Sequence, residues 1–427
     1  MKKMISMLLT FAMLFSLASC GNADSVSSKE PGAKETSVNE TDVKETGAKE
    51  SDAKEANSEN VIKIGYISNL GWATALDTLN AIELKVKMLN EAGGLNVNGT
   101  SYTVELVSYD SNNDQATMTA AANRLIYEDE VQYICTDGTL VDSIIPITEE
   151  NKVLLCTSAL SNEIFDTDYS YSFQTCANNS GVASTFGWMA DKYPDKTSVA
   201  IAYADNEMGN MALGLFGPSI EKAGLEASFI SYPDSTTDLS SLGTKIRTES
   251  PSWFLAVGGT MQPYAAVYNA GYDGQFYYTT ASSTASILQE LSVEQAEGLI
   301  AQADATEFEE PPTPAGVELR KAWIEEYGEW TYPSISFATS FYCILAAIEE
   351  AGTLDTTELA NHLAQGFSWD APTGYYKLVS RPDLGNDRTV DSVQTIYMKQ
   401  IVKGETVLLD TITLEESEKY FMDSIGQ

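Results

Sequence analysis

From Val61 onward the chain alternates two hydrophobic rhythms. Val61–Ile67 is a short, nearly continuous apolar run, the pattern of a strand buried on both faces. It is followed by Leu76, Leu79, Ile82, Val86 and Leu89 at helical spacing, which predicts a helix over Ala73–Leu89 that stops at Gly93-Gly94. The alternation continues with a strand at Tyr102–Tyr109 and a helix at Gln115–Tyr127 with Asp114 as its N-cap. A strand at Val131–Cys135, a helix near Asp142–Glu150, and strands at Val153–Thr157 and Tyr171–Thr175 complete this half. At Gly181 the same rhythm restarts and runs to Thr279 through four more strands, led by Ser198–Tyr203, with helices between them. Strands alternating with helices of this length imply parallel sheets covered on both faces. Two such runs in succession give the expected fold class: α/β, with two doubly wound parallel-sheet lobes.

After Pro311-Pro312 helical patterns return at Val317–Tyr327, Ile335–Glu350 and Thr357–Ala364. From Tyr375 to Leu409 the chain changes to hairpin-like segments. A chain that visits one lobe, then the other, then helices, then strands has to cross between the lobes repeatedly, which makes a hinge. The expected organisation is lobe 1 over residues 61–178 plus about 308–370, and lobe 2 over 179–307 plus about 371–410. Residues 411–427 form a C-terminal tail.

Upstream of Val61 the patterning is of another kind. Lys2 and Lys3 precede the apolar run Met4–Leu17, a secretory signal in outline. Leu17-Ala18-Ser19-Cys20-Gly21 resembles the lipobox of bacterial lipoproteins. The resemblance implies removal of residues 1–19 and a diacylglycerol on the Cys20 thiol. Residues 20–60 then read as a tether. Lys29 to Ser58 spell KEPGA KETSV NETDV KETGA KESDA KEANS, a pentad repeated six times with no aromatic residue and only small apolar ones. Such a segment cannot bury a core.

The 427-residue chain carries a formal charge of −36, which becomes −38 once Lys2 and Lys3 leave with the signal. That surface repels nucleic acid and anionic headgroups. Of the five cysteines, Cys20 is the lipid site. Cys135, Cys156, Cys176 and Cys343 are widely spaced, lack any CxxC pair, and read as buried thiols rather than as bridges or metal ligands.

Enzymatic signatures are mostly absent. The single histidine, His362, has no GxSxG elbow beside it, and one histidine is too few for a His-rich metal centre. No phosphate loop or GxGxxG opens a helix. Binding signals are better. In doubly wound sheets ligands sit at the carboxyl ends of strands, near helix N-termini. Four strand ends carry small hydroxyl or glycine loops: Thr136-Asp137-Gly138-Thr139, Thr157-Ser158-Ala159-Leu160-Ser161, Gly258-Gly259-Thr260, and Thr279-Thr280-Ala281-Ser282-Ser283. Each alone is also an ordinary turn or cap; four at corresponding places point to a cleft, with Trp72 as a wall of it. No metal or redox cofactor is expected.

Several segments together carry a family resemblance. Ile62–Gly65, Leu89-Asn90-Glu91-Ala92-Gly93-Gly94 and Tyr109-Asp110-Ser111-Asn112-Asn113-Asp114 resemble the opening of a type I periplasmic binding protein. Tyr203-Ala204-Asp205-Asn206-Glu207-Met208-Gly209, Ala270-Gly271-Tyr272 and Thr373-Gly374 continue the likeness, which covers roughly residues 61–410. The branched-chain amino-acid-binding group of ATP-driven importers is the nearest. The resemblance implies two lobes joined by three crossovers, a small-molecule ligand in the cleft, a permease of the ABC class as partner, and a monomer attached to the membrane through its lipid alone.

Carried over by position, an amino-acid carboxylate meets Gly138 or Thr139, Ala159 and Ser161, with Ser158 in the same loop. The second lobe closes with residues near Met208, Thr260 and Thr280. Relatives that bind amino acids have an acidic residue near the position of Thr280 for the ammonium group. This loop has none, and Asp205 is the substitute the sequence offers. An amide, nucleoside or aromatic acid is the alternative ligand. A sensory module and a secreted hydrolase working through His362 are the competing functions.

Overall fold

The computed structural model describes residues 60–138, 140–158, 162–176, 178–257, 260–279, 282–303 and 307–426, the side chains at 178, 179, 207, 208, 211, 212 and 215 excepted. The chain opens with β1 (Val61–Ser68), α1 (Ala73–Glu91), β2 (Leu95–Val97), β3 (Thr100–Asp110), α2 (Gln115–Tyr127), β4 (Tyr133–Thr136), α3 (Ile145–Glu150), β5 (Leu154–Thr157) and β6 (Ser172–Gln174). These strands make one sheet in the order β2-β3-β1-β4-β5-β6. It is parallel throughout except at the edge pair β2–β3. The apolar run of β1 is central, as a strand with both faces covered has to be. Gly65 lies so close to Leu125 that an added Cβ would meet its Cδ1 at 2.7 Å, which puts α2 on one face. Tyr66, on the other, reaches Ala75 of α1.

The second run comprises α4 (Asn178–Lys192), β7 (Ser198–Ala204), α5 (Glu207–Lys222), β8 (Glu226–Tyr232), α6 (Ser240–Glu249), β9 (Trp253–Val257), α7 (Gln262–Asn269), β10 (Gln275–Tyr278), α8 (Thr284–Glu290), α9 (Val293–Ala296) and β11 (Ile300–Ala303). Its strands alternate strictly. Ala200, Ala202, Phe254, Ala256 and Phe276 join one core, and Val199, Ile201, Trp253, Leu255 and Tyr277 join another on the opposite face. Period-two patterning over a sheet buried on both sides is the doubly wound arrangement.

The chain then returns to the first lobe with α10 (Pro314–Tyr327), α11 (Thr339–Ala351) and α12 (Thr356–Leu363), whose apolar residues Leu319, Phe341, Ile344 and Leu359 enter the first lobe's core. β12 (Ser368–Ala371), β13 (Gly374–Arg381) and β14 (Asn386–Gln394) form a separate antiparallel sheet. β15 (Ile396–Val402) and β16 (Glu405–Ile412) complete the second sheet as β16-β15-β11-β10-β9-β7-β8, and α13 (Leu414–Ser424) follows. Where the sequence pattern continues lobe 2 from about residue 371, the structure has this third sheet, shared between the lobes. Trp369, Tyr376 and Leu378 belong to the first lobe's core, while Val379 and Val393 pack with Phe421 of α13 and Ala183 of α4. Residues 411–427, read as a tail, hold the end of β16 and α13.

The third sheet grips both sides. Arg388 donates to the carbonyls of Tyr169 and Ser170 at 2.6 and 2.7 Å, and Asn386 to that of Phe165 at 2.9 Å. Lys377 pairs with Glu418 of α13 at 2.6 Å, and Ser180 of α4 donates to Ser392 O at 2.6 Å. Arg381 bridges Asp383 (2.8 Å) and Asp391 (3.0 Å), its guanidinium over the Phe165 ring at 4.7 Å. Among the described residues the chain passes between the lobes three times: after β6, after β11, and between β14 and β15. β15 runs antiparallel to β11 with Tyr397 opposite Ala303, so it begins at the carboxyl end of that strand. Every crossing therefore meets a sheet at its carboxyl-end edge.

Candidate functional site

The carboxyl ends of β1, β4 and β5 gather buried polar residues: Ser68, Asn69, Thr136, Asp137, Thr157 and Ser158. Ile67 is the register partner of Thr136, so Ser68 and Asp137 stand side by side one residue further on. Ser68 Oγ donates to Asp137 Oδ2. Asp137 is only 5% exposed. Two residues earlier on the same face of β1, the Tyr66 hydroxyl donates to Ala75 O at 3.3 Å. Burial drives that phenol far above its ordinary range; the Ser68 hydrogen bond opposes the shift and the Asp137 charge adds to it.

On the opposite face of the sheet, Thr136 and Thr157 are register partners. Their Oγ1 atoms are buried and make no hydrogen bond, and the same holds for Asp142 Oδ1. Native proteins leave few buried polar atoms in that state. The loop ahead of α1 is braced instead. Asp110 Oδ1 accepts the Leu70 N–H at 3.2 Å, Asn69 Oδ1 accepts that of Gly71 at 3.2 Å, and Asn69 O accepts that of Trp72 at 3.0 Å.

Trp72 is the N-cap residue of α1, makes no side-chain cap, and stands 46% exposed at the rim. Gly138 turns the chain after β4 with φ +84°, a conformation that favours glycine. Ser158 is buried at the end of β5. At the same end of the second sheet, Asp205 follows β7 and is exposed. Asn206 caps α5 by accepting the Gly209 N–H at 2.9 Å. A Cβ on Gly209 would lie 2.0 Å from Ala204 O, so backbone packing alone requires glycine there. Met208 falls in the first turn of α5, its side chain outside the described set. Thr260 is half-buried and accepts the Gln262 N–H at 3.3 Å, a turn contact. Thr139, Ala159, Ser161 and Thr280 lie outside the described residues, as does Cys20.

The structure thus brings Trp72, Gly138 and Ser158 to one end of the first sheet, and Asp205 and Thr260 to the same end of the second. Sequence reasoning did not single out Ser68 or Asn69, and named Asp137 only as part of the loop after β4. Ser68-Asn69 closes an apolar strand as the four selected loops do, so the signal was present. The Ser68–Asp137 pair itself joins residues far apart in the chain.

His362 sits in α12 edge-on to Phe367, ring centroids 5.4 Å apart. Its Nε2 is 3.3 Å from Glu350 Oε1, close enough for an ion pair, yet without hydrogen-bonding geometry. The four cysteines Cys135, Cys156, Cys176 and Cys343 are buried thiols outside any disulfide. Among the described residues no His, Cys, Asp and Glu cluster fits a metal ion, and no helix is long and apolar enough to cross a membrane.

A family profile described as "Periplasmic binding protein" matches residues 61–404. Similar solved structures include a leucine binding protein from Thermotoga maritima MSB8, 17% identical with TM-score 0.61, the match covering 83% of this chain and 99% of that one. A branched-chain amino acid ABC transporter periplasmic ligand-binding protein from Burkholderia xenovorans LB400 is 14% identical with TM-score 0.67, covering 83% and 96%. A solute binding protein of an ABC transporter from Rhodopseudomonas palustris BisB5, solved with 3,4-dihydroxy benzoic acid, is 19% identical with TM-score 0.60, covering 83% and 98%.

Proposed function

The chain belongs to the periplasmic binding protein family, and on that premise we propose that it is the lipid-anchored substrate-capturing protein of an ATP-driven importer, taking up a small polar ligand of the branched-chain amino-acid type. The ligand enters between the lobes and binds the closed state better than the open one, which shifts the hinge equilibrium toward closure. The closed form docks on an ABC permease. Cys20 carries the anchor, and residues 20–60 tether the binding domain to the outer face of the membrane.

One observation carries the reading. Buried polar groups collect at the carboxyl ends of β1, β4 and β5, two of their oxygen atoms lack hydrogen-bond partners, and the interlobe crossings meet the sheets at their carboxyl-end edges. Trp72 and Ser158, with the loops holding Gly138, Thr139, Ala159 and Ser161, form the first wall in this reading. Asp205, Met208, Thr260 and Thr280 approach from the second.

The test is thermal unfolding of the full chain, in detergent, against amino acids, amides, nucleosides and aromatic acids. A ligand at 100 times its dissociation constant adds about 2.7 kcal/mol, which raises the midpoint by several °C. Leucine, isoleucine or valine is expected to do so. A second reading, an aromatic acid as ligand, draws support from the missing acid at Thr280 and the neighbour solved with 3,4-dihydroxy benzoic acid; it predicts that benzoates shift the midpoint and leucine does not. If no compound of the panel shifts it, capture of a small polar ligand is wrong.

A further inference from the structure

Resting on that reading of the cleft, we infer that Glu307 is a positioning residue for ligand capture: it locks the loop after β10 to the second interlobe crossing, so that a ligand pressing on this loop bends the hinge just beyond it. The inference begins with Lys399 of β15, the one fully buried lysine among the described residues. Its ammonium donates to both carboxylate oxygens of Glu307, at 2.7 and 2.6 Å, and to Ser282 O. Glu307 Oε1 also accepts the Thr284 N–H at 2.8 Å and the Thr284 hydroxyl at 3.1 Å. Thr406 of β16 donates in turn to Thr284 Oγ1 at 2.6 Å. The Glu307 side chain is 6% exposed.

These contacts join three stretches of chain. Ser282 and Thr284 stand where the loop after β10 runs into α8, and that loop carries Thr280 of the proposed second wall. Glu307 lies on the crossing from β11 to α10, and Lys399 and Thr406 on the hairpin β15–β16. A buried ammonium and carboxylate separate only by leaving two uncompensated charges behind, so loop, hairpin and Glu307 shift as one body. Phe308 belongs to that body, its ring edge-on to Tyr397 of β15 with centroids 6.0 Å apart. Thr313 goes with the first lobe's α10, which it caps by accepting the Gly316 N–H at 3.0 Å. Between the two anchors Pro311 and Pro312 have fixed φ, which leaves Glu309 and Glu310, both exposed, to absorb a change of torsion. Arg320 of α10 donates to Phe308 O and spans the bend with a long side chain. Domain closure is taken up by a few such residues, and here they begin two positions from a carboxylate fixed to the ligand-facing loop.

The experiment uses the full chain in detergent with two probes, L-leucine and benzoate. It measures their affinities and the distribution of distances between spin labels at Tyr127→Cys in the first lobe and Tyr268→Cys in the second, both exposed positions. Wild type is expected to bind a probe and to pass to a changed, narrow distance at saturation. Glu307→Gln/Lys399→Met removes both charges together, so neither is left buried alone. It should bind the same probe at least about 5-fold more weakly and keep a broad distribution at saturation. If it unfolds at lower urea yet binds and closes as wild type does, the cluster is merely structural and the inference is overturned. Should the double variant not unfold cooperatively, Glu307→Asp, which keeps the charge on a shorter arm, carries the same comparison. If neither probe binds wild type, the ligand classes proposed above fail, and the ligand-free distributions decide on Glu307 alone. A broader distribution in the variant upholds the lock, and equal widths overturn it.

Discussion

Arg381 shows how much one buried charge settles. It is 6% exposed, lies between Phe165 and Phe421, and is neutralised by Asp383 and Asp391. Burial works against its charge, yet the two carboxylates outweigh burial and hold its pKa above the ordinary value. Removing it by Arg381→Met leaves Asp391 buried without its cation, and the expected cost is about 3–5 kcal/mol, read from urea unfolding. Burial also lifts Asp391 from 3.8 to about 6, with Arg381 and the Ser392 N–H pulling the other way. Its folded-state value is thus raised above the unfolded one. The contribution of this group to stability is full below about pH 4 and is lost as the pH rises through about 6. Asp391→Asn should therefore flatten the stability profile across that interval; a profile identical to wild type would contradict the assignment. Residues of this kind were not legible in the sequence, because Arg381, Phe165 and Phe421 come from three separate stretches. Local devices were: Asp114 caps α2 through the Thr117 N–H at 2.8 Å, as its place before an apolar-periodic run predicts.

Elements were legible wherever a single rhythm ran long enough, and were missed where it was short. The turn Asn98-Gly99, both residues at positive φ, joins β2 to β3 and has the signature of a tight hairpin. Three-residue β2 was nevertheless overlooked beside the longer β3. β11 is four residues long and escaped for the same reason. The α1–β2 turn gives a sharper test. Gly93 and Gly94 both have positive φ, but a Cβ on Gly94 would lie 2.2 Å from Tyr102 O, whereas one on Gly93 meets nothing within 4 Å. Gly93→Ala should cost about 1–2 kcal/mol from the backbone alone, and Gly94→Ala distinctly more because β3 must shift. Comparable urea midpoints for the two variants would show that the turn relaxes freely. At this scale the second crossing is also fixed: Lys399 of β15, fully buried, grips Glu307 just past β11 and donates to Ser282 O.

At the scale of the whole molecule, the two doubly wound lobes followed from the alternation of rhythms, and their order along the chain was readable. The sharing of β12–β14 between the lobes was not, since a hairpin pattern does not say which core will cover each face. With a formal charge of −36, net like-charge repulsion acts across the chain's surface. Raising salt from about 10 to 100 mM shortens the screening length from about 30 to 10 Å, so the thermal midpoint without ligand should rise over that range. A fall would mean that attractive pairs, not net repulsion, govern the surface. The return of α10–α12 to the first lobe has a further consequence for how the protein is made. Phe341, Cys343 and Ile344 fill the core beneath β4 and β5, although some two hundred residues separate them in the chain. A growing polypeptide that ends between β6 and α11 holds every strand of the first sheet and still lacks the helix that covers one face of it. Contacts so distant in sequence form late and slowly, so the first lobe's core closes only once α11 has emerged.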